Sequence, residues 1–297
     1  MADVPRLLLG SLLLRPYVFA FLLLHLLGAS ALLGWRRTGA FTLITWGVAF
    51  AAEHSSIRTG IPFGWYYYIP ATATRELWIV GVPFFDSLSF AFLLVASYGL
   101  AWFLLAGGRP WCNFGFRISD FGLQDPKSGY PLGVRHPTSE MSRRGVAPRP
   151  RRTRHLALAS LLFVLVDVVI DPVALRGDRW FLGQLYGYPE PGIYFGVPLA
   201  NFLGWGVVGG TATALYHAWE RRLPQASVAR FEGRAVLCPA LYFLVLAFNL
   251  AITFALGEWR LLLSGILLTL PVLLWTIAIL VRPRALAWRP RPEEIRA

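Results

Sequence analysis

Four carboxyl groups and one carboxamide lie within or at the ends of strongly apolar stretches: Glu53, Asp86, Asp167, Asp171 and Asn201. Hydrocarbon penalises an ionisable side chain by several kcal/mol, so such groups mark a functional site by default. Asp167 and Asp171 are four residues apart, which puts both on one face of a helix, about one turn from each other. Desolvation disfavours charge, and neighbouring carboxyls resist ionising together, so one of a pair can keep a proton and act as a general acid. His25 falls midway along the first apolar run.

Aromatic residues crowd the segments next to these carboxyls: Trp65, Tyr66, Tyr67, Tyr68, Trp78, Trp180, Tyr186, Tyr188 and Tyr194. Ring faces stabilise a cation by about 0.5–2 kcal/mol each when desolvated. Acid groups beside such faces could protonate an isoprenoid double bond and direct water to the resulting tertiary cation. The plainer alternative is an interfacial aromatic belt, with the carboxylates paired to Arg58, Arg75, Arg176 or Arg179.

The elements that must position these groups follow from composition. Of 297 residues, 56% are hydrophobic and only 15% charged, far more apolar than a soluble core needs. Seven runs can each cross roughly 30 Å of hydrocarbon: about 16–34, 39–55, 82–106, 155–173, 196–219, 236–257 and 261–281. The expected fold is therefore all-α, a polytopic membrane helix bundle of about seven transmembrane helices forming a single integral-membrane domain over 1–297. Run 39–55 is the weakest, closing at Glu53. With seven crossings, 21 of the 28 basic residues fall on one face and seven on the other, which places the N-terminus outside and the C-terminus in the cytoplasm. A multi-pass protein of the cell (inner) membrane is expected, with no removable signal peptide. The basic, Pro- and Gly-rich loop 107–154 is expected to be mostly disordered and cytoplasmic, favouring anionic lipid. No internal repeat stands out.

Several activities are set aside. The net charge of +12 comes from arginines flanking apolar runs rather than from a nucleic-acid-binding surface, so no nucleic-acid partner is expected. Cys112 and Cys238 lack metal-ligand spacing, as do His25, His54, His136, His155 and His217, so metal-dependent hydroxylation is not expected. The lone lysine, Lys127, lies in the loop and cannot hold retinal in a final helix. Gly204, Gly206 and Gly209 satisfy a dinucleotide pattern without its strand–turn–helix context; Gly206 and Gly210 read instead as a small-residue helix contact. Pro172 is expected to end or kink its helix and leave carbonyls free, and the turn Thr59–Gly64 to lay Trp65–Tyr68 along the interface.

Four separated segments, Glu53–Tyr68 (EHSSIRTGIPFGWYYY), Gly81-Val82-Pro83 before Asp86, Asp167–Val173 (DVVIDPV) and Gly196–Trp205 (GVPLANFLGW), resemble the membrane carotenoid-biosynthesis proteins that include carotenoid 1′,2′-hydratases and bisanhydrobacterioruberin hydratase. The resemblance implies cofactor-independent addition of water to the terminal double bond of an acyclic carotenoid end. A membrane-dissolved carotenoid, the lipid bilayer and other carotenoid-pathway enzymes are the implied partners. Asp171 or Asp167 is expected to donate the proton, with its partner sharing it, and Glu53 or Asp86 to orient water. Asn201, Trp65, Tyr66, Tyr68, Trp180 and Tyr194 are expected to bind substrate. The alternatives are another cofactor-free carotenoid-tailoring activity on the same scaffold, and a proton-coupled transporter, for which paired repeats interrupted at the midplane are wanting.

Overall fold

The computed structural model describes residues 3–107, 151–223 and 233–281. Eight helices are described: α1 (Val4–Leu14), α2 (Pro16–Leu33), α3 (Trp35–Thr59), α4 (Phe84–Leu105), α5 (Arg152–Ala174), α6 (Leu199–Glu220), α7 (Leu237–Ala255) and α8 (Trp259–Val281). The last seven coincide with the seven expected runs, and α2, α4, α5, α7 and α8 are long and apolar enough to cross a membrane. The chain is an all-α, multi-pass membrane bundle. Helices α3 and α6 are equally long but more polar, because α3 carries Thr38, Thr42, Thr45, Glu53 and Ser56 and α6 carries Asn201, Thr213 and His217 on inward faces. Helix α3 does not close at Glu53. It runs six residues further, so that carboxyl is buried inside the bundle.

Helix α4 is the hub: 83% of its apolar window is buried, against 17% for α8 at the periphery. Small residues let α2, α4 and α7 approach closely. A Cβ on Gly28 would sit 3.0 Å from the Cys238 nitrogen, and one on Gly99 2.6 Å from the Cys238 Cβ. The expected contact at Gly206 and Gly210 meets Val164 and Ser160 of α5, while Gly204 and Gly209 lie tighter still, against Phe63 and Phe163.

Helix α1 was not expected. Too short to span, it is separated from α2 by Arg15 and packs on the segment before α4, where Ser11 Oγ accepts from the Leu77 N–H at 3.1 Å. Two small antiparallel pairings interrupt the helical architecture: β1 (Tyr67–Tyr68) with β4 (Tyr186–Gly187), and β2 (Trp78–Ile79) with β3 (Val82–Pro83). Residues 108–150 lie outside the described residues, and with them nearly all of the loop expected to be disordered; its last residues already belong to α5.

Pro172 neither ends nor frees its helix. Helix α5 continues to Ala174, the Pro172 carbonyl accepts from Arg176 Nη1 at 2.7 Å, and the Val173 carbonyl accepts from Trp180 Nε1 at 3.2 Å. These donors occupy the carbonyls that were expected to face the site.

Candidate functional site

The loop ends of α2–α7 enclose a cavity of about 1050 Å³ of atom-free space, part of it continuous with the outside. Glu53, Asp86, Asp171 and Asn201 line it, with Tyr66, Tyr68, Trp180, Tyr186 and Tyr188. Residues from four helices and two loops, dispersed from 53 to 201 in the chain, thus meet in one place. Val18, Phe21, Phe90, Phe92 and Val245 make the remainder largely apolar.

Two carboxyl centres face this space. At the first, Glu53 accepts from Tyr68 Oη at 2.7 Å through one oxygen and from Ser87 Oγ through the other. Asp86, in the first turn of α4, lies within electrostatic reach of Glu53 and of Arg15. At the second, Asp171 accepts from Tyr186 Oη at 2.6 Å, Tyr188 Oη at 3.0 Å and Asn201 Nδ2 at 2.7 Å. The same Asn201 nitrogen donates to Asp167 Oδ2 at 2.9 Å. Asn201 therefore joins the two aspartates. Asp167 is wholly buried, does not line the cavity, and leaves its Oδ1 without a partner.

The segment Trp65–Tyr68 does not lie flat along an interface. Its extended backbone alternates: Trp65 and Tyr67 are 58% and 50% exposed, while Tyr66 and Tyr68 turn into the cavity. Pairing of β1 with β4 sets Tyr68 opposite Tyr186, and the rings of Tyr66, Tyr68, Tyr186 and Tyr188 form one cluster with centroids 5.3–6.5 Å apart. Burial, and next the adjacent carboxylates, push the Tyr68, Tyr186 and Tyr188 phenols well above their ordinary range, so they stay protonated and donate.

Among the expected substrate contacts, Asn201, Tyr66, Tyr68 and Trp180 line the cavity, while Trp65 and Tyr194 do not. Trp65 packs its indole against Gly60, and Tyr194 stacks edge-on with Phe195 and Phe202. Arg58, Arg176 and Arg179 do not pair with the cavity carboxyls: Arg58 bonds His54, and the other two hold Glu258. His25 is buried elsewhere, its Nε2 2.8 Å from Thr42 Oγ1.

Several residues that line the cavity or bond its carboxyls were not among the expected site residues. Arg15, counted only as a surface charge, is buried and forks onto Glu76, Nε to Oε2 at 2.7 Å and Nη2 to Oε1 at 2.9 Å. Tyr186 and Tyr188 were visible as rim aromatics but not as carboxyl ligands. Ser87, directly after Asp86, had no distinguishing signal. Among the described residues, no group of three or more His, Cys, Asp or Glu side chains could hold a metal ion.

Comparison with curated proteins and with solved structures yields no match. The family described as "Carotenoid biosynthesis protein" matches residues 8–114 and 137–272, which include every residue lining the cavity. The chain belongs to that family.

Proposed function

We propose that this protein is a carotenoid hydratase, adding water across the terminal 1′,2′ double bond of an acyclic carotenoid end without a cofactor. The observation carrying this reading is the cavity itself: two carboxyl centres across a cluster of four tyrosine rings, in a largely apolar chamber within a membrane bundle. One carboxyl protonates the alkene, and the tertiary cation forms against the tyrosine faces. Water held by the opposite carboxylate adds to the cation as its proton passes to that carboxylate. The elements of one water molecule enter the product, and no electron is transferred.

The position of the cavity suits an end group rather than a whole pigment. Its carboxyls and tyrosine rings gather at the loop ends of the helices, whereas an extended carotenoid is about as long as the roughly 30 Å hydrocarbon core. The reacting end enters and the polyene stays in lipid.

The test is purified protein in lipid vesicles supplied with an acyclic carotenoid in H₂¹⁸O. A product heavier by one labelled water is expected. Unchanged pigment, or oxygen derived from O₂, refutes the reading.

A further inference from the structure

The two carboxyl centres sit in matching pieces of chain. Gly81-Val82-Pro83-Phe84-Phe85-Asp86 and Gly196-Val197-Pro198-Leu199-Ala200-Asn201 share the pattern G-V-P-x-x-(Asp/Asn). Backbone geometry repeats with it. Each glycine has positive φ, 85° and 97°, and so does the non-glycine residue before it, Val80 at 47° and Phe195 at 51°. Glycine takes this conformation freely, but a β-branched valine or a bulky phenylalanine there is costly and needs a reason. Each turn closes an antiparallel pairing, Ile79 with Val82 and Tyr194 with Val197. Each proline, 83 and 198, then caps a 22-residue helix.

Correspondence extends beyond the turns. Glu53 precedes Asp86 by 33 positions and Asp167 precedes Asn201 by 34, both acids lying near the ends of the preceding helices. Tyr66-Tyr67-Tyr68 matches Tyr186-Gly187-Tyr188, and the antiparallel register pairs Tyr67 with Gly187 at the centre of these two segments. Phe90 and Trp205, both four residues after the divergent Asp86 and Asn201, stack face to face at 4.2 Å. The turns that lead into α4 and α6 thus repeat one local pattern, although no internal repeat was expected from the sequence.

Equivalent positions hold a carboxyl in the first copy, Asp86, and a carboxamide in the second, Asn201. Building on the hydratase reading, we propose that this divergence assigns the chemistry: the Glu53–Asp86 centre delivers the proton, and Asp171 is the base that takes one from water. A carboxamide nitrogen can only donate, so the Asp171 and Asp167 oxygens facing Asn201 must be acceptors. Asp171 receives two phenols besides. At Glu53 both partners are hydroxyls, Tyr68 and Ser87, which can turn and accept, leaving the acid form accommodated. This reverses the expectation that Asp171 or Asp167 donates. In balance, a proton from the first centre bonds the less substituted carbon of the terminal alkene, water oxygen bonds the tertiary cation, its released proton goes to Asp171, and exchange with solvent resets both.

Protonation and hydration separate in D₂O, because a cation that loses a proton instead of gaining water returns alkene carrying deuterium. With an acyclic carotenoid in vesicles, Asp171→Asn should lose hydration a hundredfold or more, within the usual range for a placed base of about 10²–10⁴, while still incorporating deuterium into recovered substrate. Asp86→Asn should lose both. The exchanged pair Asp86→Asn with Asn201→Asp should regain at least about tenfold of the deuterium incorporation lost in Asp86→Asn, since it moves the second carboxyl to the matching copy. Pigment retention on gel filtration reports that each variant is folded. Loss of deuterium uptake in folded Asp171→Asn, or no recovery in the folded exchange, overturns the assignment. A wild-type protein that neither exchanges nor hydrates overturns the hydratase reading and the assignment with it.

Discussion

Asn201 Nδ2 stands 2.7 Å from Asp171 Oδ2, and its second N–H goes to Asp167 at 2.9 Å, so one carboxamide sets the position of the acid that lines the cavity through one that does not. Removing that bridge leaves two buried carboxyls adjacent without the donor that holds them apart. Asn201→Leu should lower kcat by about 10- to 100-fold, below the cost of deleting the acid–base group itself. KM should change less. Asp167→Asn should cost less in kcat than Asp171→Asn, because it acts only through Asn201. Steady-state rates from pigment absorbance and product mass give the order, and an Asp167→Asn defect as large as that of Asp171→Asn would contradict it.

Phenol hydroxyls and phenol rings have separable roles. Tyr68→Phe and Tyr188→Phe keep the ring faces while removing the donors to Glu53 and Asp171. A lost hydrogen bond to the charged Asp171 is worth about 1.5–3 kcal/mol, a rate loss of roughly 10- to 150-fold for Tyr188→Phe, and one to the protonated first centre about 0.5–1.5 kcal/mol, roughly 2- to 13-fold for Tyr68→Phe. Tyr68→Leu and Tyr188→Leu remove the rings as well and should fall further by the cation contribution, about 0.5–2 kcal/mol or up to about 30-fold. Equal rates for the Phe and Leu forms would show that the rings do not meet a cation.

The seven long helices were legible in the sequence because hydrocarbon imposes a length and an apolar composition that few other structures satisfy. Glu53, Asp86, Asp171 and Asn201 were legible for the converse reason, as polar groups where polarity is costly. Contacts closed by distant chain segments were not. Arg15 looked like any flanking arginine because its partner Glu76 lies 61 residues away in a loop. Asp167 and Asp171 looked equivalent by helical spacing, yet only one reaches the cavity, since the face they share is divided by Asn201. The inward turn of Tyr66 and Tyr68 follows from a two-residue strand, too short to announce itself by alternation. Repetition of G-V-P-x-x-(Asp/Asn) was in plain view, but a six-residue match gains meaning only when both copies adopt the same strained turn.

Arg15 and Glu76 form a buried, bidentate pair at the edge of the cavity. Glu76→Ala strands the guanidinium without its counter-charge, at a cost of about 3–5 kcal/mol. The double replacement Arg15→Met with Glu76→Leu should recover most of that stability, because matched apolar groups carry no desolvation penalty. Thermal unfolding in detergent ranks the three forms. A double variant no more stable than Glu76→Ala would mean that the pair contributes through packing of α1 rather than through charge.

Glycines on α6 test whether the turn after α3 is fixed by that helix. At Gly204 an added Cβ would fall 2.4 Å from the Phe63 ring, and 3.0 Å from both the Phe63 Cα and the Pro62 carbonyl carbon, so backbone as well as side chain must move. At Gly206, two residues on, it would meet only Val164, at an ordinary 3.5 Å. Gly204→Ala should therefore cost about 1–3 kcal/mol through overpacking. It should also lower kcat, because the displaced segment leads directly into Tyr66 and Tyr68. Gly206→Ala should be neutral or stabilise by up to about 1 kcal/mol, the helix-propensity gain over glycine. Unfolding midpoints and turnover of the two variants, side by side, decide the matter: if Gly204→Ala matches Gly206→Ala in both, the Phe63 turn yields without moving the tyrosines and α6 does not position that part of the cavity.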